Sequence, residues 1–245
     1  MKIVGWVVFV IMISVLALYC LWFGLGFSRE TDAWGQFGDY FGGVLNPILT
    51  FTSVVLLIRS IDLQRTANNS LIKENKRQEK LEKRKDFEFR FYNLIDSQNK
   101  LFDEFHILVP AINGNKEYKN SVAVKYIENI ITSSNDRGIT GDAINTILTN
   151  LDSHSNDQIY SCVRKFYLSV KLIDKTITEG NGFQEKDRKD YFETLINFSD
   201  FSSVRLIAIS IIYLTWPNIT YIKECDDFIS VLNNTGLESF MSQFK

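Results

Sequence analysis

Histidine, proline and cysteine are scarce in this chain of 245 residues: two, three and three, respectively. His106 and His154 have no cysteine or second histidine beside them, which leaves little scope for a metal centre or for imidazole acid–base chemistry. Cys20, Cys162 and Cys225 form no C-x-x-C pair, and Cys20 lies inside an apolar run. A disulfide framework and a zinc site are both disfavoured, and a reducing compartment fits the bulk of the chain. The phosphate-cradling G-x-x-x-x-G-K-[ST], the nucleophile elbow G-x-S-x-G and the zincin H-E-x-x-H are all missing. Carboxylates are scattered rather than paired. The expectation is a protein without enzymatic activity, with no catalytic, cofactor-binding or metal-binding residues and no small-molecule substrate.

Charge is missing from two stretches, residues 3–27 and 41–58. The first is long enough to span a bilayer, for which about 20 apolar residues are needed. It exceeds the apolar core of a signal peptide, and no small-residue cleavage pattern follows Phe27, so a retained transmembrane helix is expected. The second is near the lower limit for a span and becomes comfortable if the glycine-rich entry, residues 34–40, is also helical. The connecting loop, residues 28–40, carries Arg29 against Glu30, Asp32 and Asp39. Residues 59–90 carry ten Lys/Arg against six Asp/Glu. This bias predicts a multi-pass protein with both termini in the cytoplasm and a short acidic loop outside. Trp22 and Trp34 fall where an outer aromatic belt anchors the interface. Residues 1–58 have a net charge of −1, residues 59–90 of +4 and residues 91–245 of −5.

Three regions follow: a transmembrane hairpin over 1–58, with spans at about 3–27 and 41–58; a basic helical neck over 59–86; and a cytoplasmic all-helical domain over 87–245. From Arg59 to Lys85 there is no Gly or Pro, and Lys, Glu, Gln and Arg dominate, all good helix formers. Its few large apolar residues do not sustain a heptad seam. The neck reads as a solvated stalk or as a contact for anionic lipid or nucleic acid. Beyond it, apolar residues recur at helical spacing in Phe87–Leu108, ended by Pro110 and Gly114, in Val122–Ile131, and in Ile139–Leu151 with Thr140 as N-cap. The same spacing continues through Ile159–Ile177, Lys186–Phe198, Ser199–Trp216, stopped by Pro217, and Lys223–Leu232. Strand alternation is scarce, so the fold class is all-α: two N-terminal transmembrane helices, a charged stalk and a helical bundle. Leu206–Trp216 has no charge but is too short to span, and reads as a buried core helix or as a re-entrant or interfacial segment.

The entry to the second span has its own order. Read as helix, Gly35, Asp39, Gly42, Asn46, Thr50 and Ser53 share one face, while the rest of the surface is aromatic and aliphatic. Such a stripe packs against another helix, because small residues let backbones approach and polar ones bridge them, or it lines water as a pore face in an assembled state. Pro47 cannot donate its backbone bond and its ring opposes the Gly43 carbonyl, so Gly43 and Pro47 mark a hinge. Asp39 belongs at the outer interface, since a carboxylate deep in lipid is costly.

The residues that make this stripe also carry a resemblance. WGQFGDYFGGVLNPILTFTSVVLLIRSIDLQ, Trp34–Gln64, is similar to the signature of the phage abortive infection proteins of bacteria. Further matches follow in order. RFYNLIDSQNKLFDEF (Arg90–Phe105) resembles the family's aromatic-led helix without its usual histidine, and YSCVRKFYLSVKLIDK (Tyr160–Lys175) resembles its FR-LY--LK-ID helix. YFETLINFSDFSSVRLIAISIIYL (Tyr191–Leu214) resembles its YF--L---LS--EL-LL-YN helix, with Val204-Arg205 at the usual acidic position. The resemblance implies two transmembrane helices, a helical cytoplasmic domain in the bacterial inner membrane, and a toxin-like role in antiviral defence by abortive infection. Similar two-span proteins are retron effectors, held in check by a reverse transcriptase and its DNA–RNA hybrid. The partners so implied are the lipid bilayer, further copies of the chain and such a retron complex. The alternative is a membrane-anchored helical sensor or scaffold whose transmembrane anchor is passive.

Overall fold

The computed structural model describes residues 2–24, 30–112 and 114–244. Helix accounts for 84% of the chain and strand for 5%. Two compact units are distinguished, Met1–Lys76 and Arg77–Lys245. The end of the expected first span, residues 25–27, and Arg29 of the loop lie outside the described residues.

Helix α1 covers Lys2–Phe23 and helix α2 covers Thr31–Asp103, with Pro47 inside it. Both contain a stretch long and apolar enough to cross a membrane. The start of α2 has Asp32 in its first turn, where a carboxylate complements the helix dipole. No Gly or Pro occurs between Ile48 and Asp103. Along the charged part, Lys83 meets Glu79 (2.9 Å), Arg84 meets Glu88 (3.1 Å) and Arg90 meets Asp86 (3.0 Å), all one turn apart. Each such exposed pair adds only about 0.3–0.5 kcal/mol, so several together sustain the helix rather than any one of them.

The all-helical expectation for residues 87–245 needs one correction. The helix that was expected to reach Leu108 ends at Asp103, and His106–Ala111 (β1) pairs antiparallel with Gly114–Lys119 (β2). The reason is local. Ile107, Leu108 and Val109 form a strand-like apolar run, and Asn113-Gly114 is a turn signal. Ile107 is buried opposite Tyr118, whose ring stacks on Tyr126 at 4.4 Å. The N–H of Leu108 points away from β2 and donates to Ser155 Oγ at 2.9 Å. Pro110 lies in the same phase as Leu108, so its missing N–H costs the ladder nothing.

The remaining helices are α3 (Asn120–Asp136), α4 (Gly141–His154), α5 (Gln158–Thr176), α6 (Glu185–Phe198), α7 (Phe201–Tyr213), α8 (Pro217–Lys223), α9 (Asp226–Leu232) and α10 (Glu238–Ser242). Pro217 does not merely stop a helix: it is the first residue of α8, where its fixed φ and absent N–H suit a helix start. Thr140 is the N-cap residue of α4, although its side chain makes no cap bond. The core of this unit gathers one face of each helix: Phe87, Phe91, Ile95 and Phe102 from α2; Val163, Phe166, Val170 and Ile173 from α5; Phe192 and Leu195 from α6. In α7 Leu206, Ile207, Ala208 and Ile209 are all enclosed, as a core helix requires.

Candidate functional site

The N-terminal unit buries little. Val15 of α1 and Leu45 of α2 are the buried residues of its described part. Around them, Val8, Ile11 and Tyr19 of α1 and Phe37, Phe41, Val44, Ile48, Thr52 and Val55 of α2 are half-buried. These positions recur at spacings of three and four, so each helix turns one stripe to the other. Tyr19 seals the pair near the C-terminal end of α1, its ring edge-on to Phe37 at 4.8 Å and tilted on Tyr40 at 5.5 Å.

The face of α2 that meets α1 is therefore the aromatic and aliphatic one. Gly35, Asp39, Asn46, Thr50 and Ser53 are exposed, and Gly42 is half-buried. At about 100° per residue, this stripe is centred roughly 150° around α2 from the face turned to α1. The two helices of one chain do not use it against each other. Trp22 is 82% exposed near the end of α1, and Trp34, near the start of α2, sets its ring edge-on to Phe37 at 6.2 Å.

Within the stripe the polar groups are handled locally. Thr50 Oγ1 donates to the Asn46 carbonyl and Ser53 Oγ to that of Leu49, each at 2.8 Å. Their donors are thus satisfied inside the helix while their oxygens can still accept. Asn46 leans back over Gly42, its Nδ2 3.7 Å from where a Cβ on Gly42 would lie. Gly43 and Pro47 are exposed, next to the stripe. Pro47 offers no N–H to the Gly43 carbonyl, so the ladder of helix bonds is interrupted there, on a surface facing away from α1.

The glycines sharpen the point. A Cβ built on Gly35, Gly38 or Gly43 meets nothing within 4 Å. Each glycine costs a helix about 1 kcal/mol relative to alanine. Among the described residues, nothing packs close enough to Gly35, Gly38 or Gly43 to need that concession. Gly38 joins Gly42 in a G-x-x-x-G spacing, the pattern that lets two membrane helices approach closely. Gly38 falls off the stripe by helical phase, and its G-x-x-x-G spacing to Gly42 is the signal in the sequence that marks it.

No group of three or more His, Cys, Asp or Glu that could hold a metal occurs among the described residues. His106 Nδ1 lies 3.0 Å from the Glu104 carbonyl and His154 Nδ1 2.7 Å from that of Asn150, both local contacts. Cys162 and Cys225 are buried free thiols, and burial pushes the Cys162 thiol up to about 12. Asp152 is buried and accepts from the Ile159 N–H (2.6 Å) and the Tyr160 N–H (3.3 Å) at the start of α5. Burial still raises its carboxyl to about 6. Arg205 pairs with buried Glu128 at 2.7 Å and stacks over the Phe240 ring at 4.6 Å. These are structural devices. No family model, curated protein or solved structure matches the chain.

Proposed function

We propose that this protein is a bacterial inner-membrane effector of antiviral defence that acts by abortive infection, breaching the membrane once an inhibitory partner releases it. Residues 1–58 form the transmembrane hairpin with both termini in the cytoplasm, residues 59–86 form a basic neck, and residues 87–245 form the cytoplasmic sensing domain. The observation that carries the reading is the outward stripe. A lone hairpin in lipid would present Asn46 and the hydroxyl oxygens of Thr50 and Ser53 to hydrocarbon, beside a helix ladder interrupted at Pro47, and would leave Asp39 open at the interface, where polar groups without partners cost free energy. Self-association through α2 removes them from lipid, with α1 on the outside of the assembly. Packed tightly, the stripe is closed; a change at the Gly43–Pro47 hinge that separates the helices would line a water path with Asn46, Thr50 and Ser53. The defence context, and the choice of a retron reverse transcriptase with its DNA–RNA hybrid as inhibitory partner, rest on the resemblance of Trp34–Gln64 and the motifs that follow it.

The test is membrane depolarisation and dye entry in cells producing the full chain, alone and during phage infection. The wild-type chain depolarises cells; Gly42→Leu and Asn46→Leu insert normally but leave them polarised and alive. If the wild-type chain leaves cells polarised under every condition, including infection, the breach is wrong. Replacing both spans by unrelated ones of equal length separates the other reading: retained defence would make the protein a tethered sensor or scaffold with a passive anchor.

A further inference from the structure

The C-terminal unit displays a set of aromatic side chains that its core does not use. Phe89 is 70% exposed, Tyr92 48%, Phe198 60% and Phe201 63%. Phe89 and Tyr92 share a face of α2, and the Tyr92 ring meets that of Phe198 at 6.3 Å. Phe198 and Phe201 flank the corner at which α6 turns into α7 through 115°. That corner is fixed. Asn99 Nδ2 donates to the Phe198 carbonyl (2.9 Å), and the Asp200 N–H donates to Asn99 Oδ1 (3.3 Å). Buried Gln98 donates to Ser199 Oγ at 2.9 Å, and the Asp200 carboxylate caps α7 by accepting from the N–H of Ser202 (2.7 Å) and Ser203 (3.2 Å). A corner held by so many bonds presents its phenylalanines rigidly, so little side-chain or loop freedom is left to lose on docking. The neighbouring charges on α2 are already matched within the helix, Arg90 with Asp86 and Lys100 with Asp96.

We infer that Phe89, Tyr92, Phe198 and Phe201 form a contact between two copies of this chain, the same patch on each. Two arguments select a second copy as the occupant. An aromatic side chain offers about 150–250 Å², so these four expose roughly 500 Å² per copy, short of the roughly 800 Å² per partner of a freestanding complex. Such a face is too small to capture a freely diffusing protein but sufficient between chains concentrated in one bilayer. In addition, every tethered copy carries the patch at the same point along α2, so parallel neighbours bring like to like. The inference rests on the membrane tether proposed above but not on the stripe.

The test is cross-linking of the full chain in native membranes through Asn197→Cys, an exposed position beside Phe198, with a short bismaleimide and the unsubstituted chain as background. A dimer band forms with Asn197→Cys. Adding Phe198→Ser with Phe201→Ser lowers its yield about tenfold, as a loss of about 1.4 kcal/mol in association does, and Phe89→Ser lowers it from the other side of the patch. Unchanged protease resistance shows that these surface variants fold. Gly42→Leu leaves the band in place, so a failed stripe and a failed patch are told apart. Absence of the band, or a band that survives the serine variants, overturns the inference. Loss of cell killing by the serine variants without any cross-link would assign the patch to a different protein and overturn it equally.

Discussion

In the C-terminal unit Phe91, Phe166 and Phe192 have no exposed surface, while in the N-terminal unit Phe51 is 72% exposed, Trp6 68% and Leu21 81%. The same residue types are thus placed as two different solvents would require. Around the former, helices close a core against water; around the latter, two helices touch along one stripe and leave most of their apolar surface outward, as lipid permits and water does not. The polar residues invert in the same way. Glu128, Asp152 and Ser155 are buried and bonded in the C-terminal unit, whereas Asp39 and Asn46 lie on the open side of α2. A polar group buried in a soluble core is explained once its partners are named. A polar group on the outside of a membrane helix is explained only by something beyond the chain.

The largest test of this contrast makes one substitution in both units. Phe91→Ala opens a cavity in a core that the surrounding helices cannot collapse, and costs about 3–5 kcal/mol. Phe51→Ala leaves the stability within about 0.5 kcal/mol, because the removed ring bore on no protein neighbour that needs it. Denaturant or thermal unfolding of the detergent-solubilised chain measures both, and comparable losses would mean that Phe51 is enclosed by other copies. The buried pair comes next. Arg205→Met leaves buried Glu128 with Lys125 (3.2 Å) as its remaining charged partner and costs about 2–3 kcal/mol, while Arg205→Met with Glu128→Leu restores much of it, since an apolar pair escapes the desolvation that the ions suffer. If the double variant is no more stable than the single, Glu128 is not the group left in need.

How much of this was legible beforehand divides along the same line. The two apolar helices were, because absence of charge over a span-length run has few other meanings. So was the helical core from Phe87 onward, whose apolar residues recur at three and four. The hairpin was not: Phe102, Phe105, Ile107 and Leu108 continue a helical rhythm, and Pro110 reads as a helix stop unless the Asn113-Gly114 turn is weighed against it. The polar stripe was found by spacing, yet spacing cannot say which face of α2 meets α1; that depends on where Val15 and Tyr19 sit. Nor could Arg205 be understood from its position in a family-like motif, since its partner lies on α3. The aromatic corner at Phe198–Phe201 is hidden inside a family-like motif, because exposure of a phenylalanine is not written in its neighbours along the chain.

A smaller effect sharpens the account of the glycines. Gly35→Ala and Gly38→Ala meet no atom within 4 Å in the single chain, and each should stabilise α2 by about 0.5–1 kcal/mol through helix propensity. If the stripe serves close approach between copies, the same methyl groups weaken association. Stability of the detergent-dispersed protomer then rises while cross-linking through the span and cell killing fall. A gain in stability with killing intact would show that the glycines serve neither contact nor pore.

The smallest effect belongs to Asp152, and its sign is informative. Two influences oppose each other there: burial favours the protonated carboxyl, and the N–H groups of Ile159 and Tyr160 favour the charged one. Burial prevails, raising the group to about 6 from an unperturbed value near 3.9. Between those limits the folded chain holds a proton that the unfolded chain has lost. The contribution to stability is therefore complete at the acid end and is lost as pH rises through about 6. Asp152→Asn keeps an oxygen to accept from α5 but cannot titrate, so the wild-type chain should lose ground to it between pH 5 and pH 7. Melting temperatures of the two chains across that range measure the difference as a drift of a few degrees. A drift of the opposite sign would mean that the backbone bonds to α5 outweigh burial, and that Asp152 acts as an ordinary charged cap despite its enclosure.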